Sequence, residues 1–274
     1  MSEDTTEALA RLHAVLDQMG PVLVAVSGGI DSLTLMAVAH RRHPGRARAV
    51  HATSPAVPAA ALDRVQQIAS RENWDLQLVD AGELHDPDYL RNPLNRCYFC
   101  KSSLYRTVDA LARHTRATVA SGANLDDLGD FRPGLEAARQ SGVRHPLIEA
   151  GIGKSHVRAI ARVVGLGDLA DLPASPCLSS RIETGIAIDP SLLIAIDRAE
   201  TAVRRELAVD VVRCRIRPDA CEIELGDLDA TTPAARDLVA SAVTAILAEH
   251  GVSLPVRFGR YRQGSAFIGA PVIA

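Results

Sequence analysis

Val22-Leu23-Val24-Ala25-Val26-Ser27-Gly28-Gly29-Ile30-Asp31-Ser32-Leu33 decides the fold of this 274-residue chain. Its first residues are an apolar run of strand length, its middle is Gly-rich, and Leu33, Ala37 and Val38 beyond it recur at helical spacing. Strand, turn and helix therefore follow one another directly. Such a turn presents unpaired backbone N–H groups at the positive end of a helix dipole, which makes an anion site. Gly28 and Gly29 let a phosphate approach the backbone, Ser27 and Ser32 carry hydroxyl donors, and the Asp31 carboxylate suits Mg²⁺ or loop orientation rather than a bare phosphate. The ordinary alternative is a capped turn without a ligand.

Outward from this unit the same alternation continues. Strands are expected at 47–52, 76–79 and 118–121, with helices over 58–73 and 104–114. This βαβα order predicts an α/β fold, a parallel doubly wound sheet covered by helices, with ligands beyond the strand ends after Val26, Ala52, Val79 and Ser121. Helices near 133–141 and 155–164 lead to an irregular stretch, 165–180, that reads as a junction. A helix over 190–207, paired strands at 209–217 and 220–225, a helix over 233–250 and strand-like ends at Val256 and Ala266 make a smaller α+β unit. The expected division is 1–176 for nucleotide binding and 177–274 for substrate and oligomer contacts.

A chain that is 47% apolar and 23% charged has ample material for folded cores. Its net charge of −3 gives no basic excess for coating nucleic acid, and among its 30 basic residues only Lys101 and Lys154 are lysine. Apolar runs such as 22–26 fall far short of the roughly 20 residues a membrane span needs. The start, Met1-Ser2-Glu3-Asp4, lacks a signal pattern. A soluble, cytoplasmic protein without internal repeats is expected.

Five cysteines, an odd number, argue for reduced thiols rather than a disulfide framework. Cys97-Tyr98-Phe99-Cys100 is a C-x-x-C, and Cys177 lies in Pro173-Ala174-Ser175-Pro176-Cys177-Leu178-Ser179-Ser180-Arg181. Three thiolates are one short of a closed zinc site, whereas an iron–sulfur cluster on three cysteines keeps one iron open. A bare C-x-x-C with Cys177 as a small buried residue is the alternative. Cys214 and Cys221 fall on the C-terminal strands and read as core. Gly151-Ile152-Gly153-Lys154-Ser155 ends like a phosphate-binding loop, but Ile148 stands where its first Gly belongs, so Lys154 reads as a helix start. Gly165-Leu166-Gly167 follows a helix rather than a strand and is set aside likewise.

The 27–32 loop resembles that of the ATP pyrophosphatases, which adenylate an oxygen and release pyrophosphate. Four further strings narrow the likeness: Asn92-Pro93-Leu94-Asn95-Arg96-Cys97-Tyr98-Phe99-Cys100-Lys101; Ser121-Gly122-Ala123-Asn124-Leu125-Asp126-Asp127-Leu128-Gly129-Asp130-Phe131-Arg132-Pro133-Gly134; 176–181; and Tyr261-Arg262-Gln263-Gly264-Ser265. Together they resemble the LarE family of ATP-dependent sulfur transferases in nickel-pincer (lactate racemase) cofactor synthesis. The resemblance spans nearly the whole chain.

It implies an adenine nucleotide alpha-hydrolase (HUP-like) fold that binds ATP and Mg²⁺, with Ser27, Gly28, Gly29, Asp31, Ser32, Gly122, Asp127 and Arg132 holding the nucleotide. The implied reaction adenylates a carboxylate of pyridinium-3,5-biscarboxylic acid mononucleotide, and a sulfur nucleophile then displaces AMP to leave a thiocarboxylate. In one branch of the family a cysteine matching Cys177 gives up its own sulfur. The presence of Cys97 and Cys100 resembles the other branch, where three cysteines hold a [4Fe-4S] cluster able to carry a transferable sulfide, supplied by a sulfide or persulfide donor. Arg181, Arg213 and Arg215, with Glu200 and Glu224, are implied substrate contacts, the last two as metal or orienting groups; solvated surface charges are the alternative. Lys101 is a further candidate for steadying negative charge, and the family tends to form homo-oligomeric rings. The rivals are a tRNA 2-thiolation enzyme, disfavoured by the charge balance and few aromatics, and a non-catalytic nucleotide-binding or iron–sulfur scaffold.

Overall fold

The computed structural model describes residues 3–129 and 132–269; Asp130 and Phe131 of the family-like string lie outside them. In chain order the first half runs α1 (Glu3–Asp17), β1 (Val22–Ala25), α2 (Ile30–Arg42), β2 (Ala47–Ala52), α3 (Ala59–Glu72), β3 (Leu76–Val79), α4 (Pro87–Leu90), α5 (Arg96–Thr115) and β4 (Thr118–Ser121). Short helices α6 (Pro133–Gln140), α7 (Pro146–Glu149) and α8 (Lys154–Val163) follow. The second half adds α9 (Pro190–Leu207), β5 (Val212–Ile216), β6 (Cys221–Leu225), α10 (Pro233–Glu249) and β7 (Val256–Arg260).

The four N-terminal strands form one parallel sheet in the order β3-β2-β1-β4. Side chains alternate across a strand, and both faces here are covered. Val22 and Val24 of β1 enter the core built with α1, α2 and α8, while Leu23 enters the opposite core built with α5 and α6. That explains why the strand is apolar without a break. Helix α1 was not foreseen, although Ala8, Leu12 and Leu16 mark its buried stripe.

The expected doubly wound sheet and small α+β unit are both present. In the C-terminal sheet β5 and β6 pair antiparallel, and β7 joins β6 parallel. Ala266, expected on a strand, lies in a turn among the described residues. The core beneath this sheet draws on α9, α10 and Leu178 and also takes in Ala56 and Tyr89 from the first half of the chain. Among the described residues no helix is long and apolar enough to cross a membrane.

Candidate functional site

The chain leaves β1 toward β2 on one side, and β4 later pairs with the other edge of β1. The crevice between the carboxyl ends of β1 and β4 is thus the switch point of the sheet, the place where such folds bind ligands. The 27–32 loop and the segment after Ser121 meet there.

Two glycines of this crevice are required by the protein itself. Gly28 has a φ of +81° and would place a Cβ 2.8 Å from the Ala61 carbonyl oxygen. Gly122 would place one 2.6 Å from the Ser32 backbone nitrogen. Gly29 is different: a Cβ there would come no closer than 3.5 Å, to Ser27 Oγ, so nothing in the protein demands its absence. The Gly29 side of the loop is therefore open. Ser32 is only 4% exposed. Its hydroxyl accepts from the Ser27 backbone N–H (3.0 Å) and donates to the Gly29 carbonyl (3.1 Å), which leaves Ser27 as the exposed hydroxyl of the loop.

Asp31 is held from two sides. Asn124 Nδ2 donates to its Oδ1 at 3.1 Å, and Lys154 Nζ lies 2.5 Å from its Oδ2. Lys154 does open α8, as the sequence suggested, but its side chain reaches back into the phosphate loop while its backbone N–H donates to Asp126 at 2.8 Å. Asp127 accepts from the Asn124 backbone N–H at 3.0 Å and pairs with Arg132 at 2.8 Å. Arg132 in turn acts on Cys97, and a Cβ on Gly134 would lie 3.0 Å from Lys101 Cγ. The start of α6 therefore joins the crevice to the cysteines.

Cys97 and Cys100 stand one turn apart at the beginning of α5, on its positive end. The helix begins at Arg96 rather than at the expected 104, so the C-x-x-C lies on the helix and not in the loop before it. Cys177 begins the short 3₁₀ turn Leu178–Arg181. Burial pushes the Cys97 thiol up, Cys177 adds to the rise, and Arg96, Lys101 and Arg132 oppose it. Burial likewise pushes the Cys100 thiol up to about 12, opposed by Lys101 and helped by Cys177. Burial works against the charge of Lys101, yet Tyr105, Cys100, Cys97 and Cys177 hold its ammonium above the ordinary lysine value. The three thiols thus share one neighbourhood, although among the described residues no three His, Cys, Asp or Glu side chains crowd tightly enough to hold a single metal ion.

Buried arginines surround Cys177, and none of the expected ones is a solvated surface charge. Arg181, 1% exposed, forks onto both oxygens of Glu200 (2.8 and 3.0 Å) and donates to the carbonyls of Pro176 and Cys177 (2.7 and 3.2 Å). It clamps the loop that carries Cys177. Arg215 bonds Glu224 at 2.9 Å and the Ser180 carbonyl at 2.8 Å. Among the described residues Arg213 bonds the carbonyls of Val212 and Ala174, both at 2.7 Å, and burial together with Arg181 pulls its pKa down to about 10. The 261–265 string closes over this group: Tyr261 lies 5.6 Å from the Arg213 guanidinium, Arg262 accepts from Arg215, and Ser265 donates to Glu224 at 2.6 Å. Cys214 and Cys221 are buried in the C-terminal core.

Comparison with known proteins bears on this arrangement. An uncharacterised protein of Synechocystis is 40% identical over 226 residues, which make up 82% of either chain. The pyridinium-3,5-bisthiocarboxylic acid mononucleotide synthase of Lactiplantibacillus plantarum is 32% identical over 218 residues, 79% of this chain and 78% of its own. The chain belongs to the LarE family. An uncharacterised protein of Methanocaldococcus jannaschii is 25% identical over 207 residues. No protein-family model matches the chain.

In this LarE protein the loop, residues 122–129 with Arg132, and the cysteines, each found separately in the sequence, are brought to one rim. Sequence reasoning read Lys154 as a helix start, which it is, but did not foresee that its side chain reaches Asp31. It also missed Asn124, which positions Asp31 and Asp127 from inside the family-like string, and Arg96, whose burial nothing in its neighbours announced.

Proposed function

We propose that the protein is an ATP-dependent sulfur transferase that converts a carboxylate of pyridinium-3,5-biscarboxylic acid mononucleotide to a thiocarboxylate. The observation that supports this reading is the continuity of the switch-point loop with the cysteine rim, through Asp127, Arg132 at the head of α6, and Gly134 packed against Cys97 and Lys101, in a chain of this family. The loop around the open face of Gly29 receives the ATP phosphates, with Ser27 donating. Asp31 would hold Mg²⁺, which would supply positive charge to the phosphates, and the Lys154 ammonium beside it stabilises the negative charge that develops on the departing pyrophosphate. Gly122 and Asp127 flank the nucleotide.

The substrate carboxylate attacks the α-phosphorus of ATP, pyrophosphate leaves, and the resulting acyl adenylate loses AMP to a sulfur nucleophile at the Cys177 end of the crevice. Arg213, which hydrogen-bonds no carboxylate among the described residues, and Arg215 meet the anionic groups of the substrate, while Arg181 and Glu200 hold the Cys177 loop. Cys97, Cys100 and Cys177 suit a [4Fe-4S] cluster, an anionic group that would answer the cationic surroundings of the site. When bound, the cluster supplies an open iron that carries sulfide. The second reading, in which Cys177 gives its own sulfur, uses the same clamp.

Pyrophosphate release that requires the pyridinium dicarboxylate and is absent with tRNA tests the function. Release without that substrate, or with tRNA, overturns it. Iron and acid-labile sulfide in protein purified without oxygen test the cluster; about four irons per chain, lost in Cys97→Ala, are expected. No iron after reconstitution, with Cys177 losing the elements of H₂S in turnover, establishes the sacrificial route instead.

A further inference from the structure

Helix α3 lies against the 27–32 loop and touches it with two residues one turn apart. The Ala61 carbonyl closes the side of Gly28 on which a Cβ would stand, at 2.8 Å. Arg64 Nη1 donates to the Gly28 carbonyl, also at 2.8 Å. Among the described residues no other donor reaches that carbonyl, and no carboxylate pairs with Arg64. Burial pushes the Arg64 pKa down, and no charged neighbour opposes the shift. The helix is itself pinned at its first residue, where the Ala59 N–H donates to Asp197 of α9 at 3.0 Å.

The peptide unit between Gly28 and Gly29 is trans, so its carbonyl and its N–H point to opposite sides. Two residues without side chains flank it, and such a unit rotates as a whole at little steric cost. Tying the carbonyl to Arg64, on the α3 side, turns the Gly29 N–H the other way, toward the exposed Ser27 hydroxyl and the open side of the loop. That N–H has no strong partner of its own: among the described residues it meets only Ser27 Oγ, at 3.4 Å. In the reverse orientation the carbonyl oxygen would face the same opening, and a phosphate there would meet partial negative charge in place of a donor.

We propose that Arg64 is a positioning residue of the phosphate site, fixing the Gly28–Gly29 peptide so that the Gly29 N–H faces the phosphates of ATP. The proposal rests on the nucleotide part of the reading above and is independent of the sulfur donor. A guanidinium suits the task, since it stays charged when half-buried and its planar N–H groups hold one direction. Its bond is to the far side of the peptide, so it acts through the amide rather than by touching the ligand.

The test titrates the full chain with inorganic pyrophosphate and then with ATP, both with magnesium chloride, by calorimetry, and records melting temperatures beside the affinities. Arg64→Met is expected to bind both ligands about 10- to 100-fold more weakly than the wild type while melting within about 3 °C of it. A purely structural arginine gives the reverse, a lower melting temperature with the affinity of the folded protein intact, and that result overturns the proposal. Salt separates positioning from direct contact. At about 0.5 M sodium chloride, where charges more than about 4 Å apart are screened, the loss of affinity should persist, because a misdirected amide is misdirected at any ionic strength. A loss that vanishes at high salt makes Arg64 a bare charge and overturns the proposal, as does an unchanged affinity at low salt. If Arg64→Met yields no folded protein, Arg64→Lys decides, since lysine keeps the charge but not the fork: affinity lowered about threefold or more at an unchanged melting temperature supports the role, and equal affinity refutes it. A wild type that binds neither pyrophosphate nor ATP overturns the ATP reading together with the proposal, whereas binding by the wild type and equally by Arg64→Met removes only the role of Arg64.

Discussion

At Gly29 and Gly122 the same substitution has opposite consequences. An added methyl at Gly122 meets the Ser32 backbone at 2.6 Å, which cannot yield without moving the start of α2. Gly122→Ala is therefore expected to lower stability by about 1–3 kcal/mol and to lose ATP binding with it, read from urea unfolding and nucleotide titration. Gly29→Ala is expected to melt like the wild type, since its methyl has room and its φ of −81° suits alanine, yet to bind ATP more weakly. A Gly29→Ala protein with unchanged ATP affinity would remove the ligand from this side of the loop. Lys154 behaves as a third kind of residue. Its ammonium lies on a partly exposed side chain, so Lys154→Met should leave folding nearly unchanged and reduce the rate of pyrophosphate release by about 10²- to 10³-fold, the usual loss when a preorganised donor to developing charge is removed. Equal rates in the two proteins would return Lys154 to the role of a helix start.

The strands show where sequence is sufficient. β2, β3 and β4 fall where the sequence placed them, because each is short and flanked by residues that stop it, although β3, at the edge of the sheet, leaves Gln77 and Leu78 exposed. The start of α5 was not legible: Asn95 makes no side-chain cap, and the first turn is held instead by packing against the turn at Gly134 and the elements around Cys177. The buried arginines were legible as candidates but not as buried, because β5 encloses every residue along its length and so shows no alternation. Glu200 shows how that burial is sustained. On α9 it takes both arms of Arg181, one from Arg204 at 2.8 Å and the Cys214 backbone N–H at 3.0 Å, tying helix, strand and the Cys177 loop together. Burial would raise its pKa, but Arg181 and Arg204 outweigh burial and hold it below the ordinary value. Glu200→Gln should cost about 3–5 kcal/mol in urea unfolding, since Arg181 is left charged and half-paired. A loss under 1 kcal/mol would show that the clamp contributes little.

Across the whole molecule the acid response should begin well above the carboxylate range, because two histidines stand beneath the switch-point crevice. His51, at the end of β2, is buried with Nδ1 2.8 Å from the Val26 carbonyl, so a neutral ring donates from Nδ1, and its Nε2 has no partner among the described residues. Burial lowers its pKa from 6.5, with the Val26 bond opposing. His145, bonded to Ser121 at the end of β4, is lowered by burial in the same direction, with Glu149 and Asp127 opposing. In the unfolded chain both rings take a proton near pH 6.5, while in the folded protein they resist it until lower pH, so the unfolded state binds more protons and stability rises with pH. Full stability is present above about pH 6.5 and falls as the pH drops from there toward the lower folded values, with a slope approaching about 1.4 kcal/mol per pH unit for each ring. Glu200, whose pKa is lowered, adds its loss only further down, below the ordinary glutamate range. His51→Gln keeps a donor for Val26 and removes the titration, so its melting temperature should change less between pH 7 and 5 than that of the wild type. Parallel profiles for the two proteins would mean that the crevice is not where this fold first feels acid.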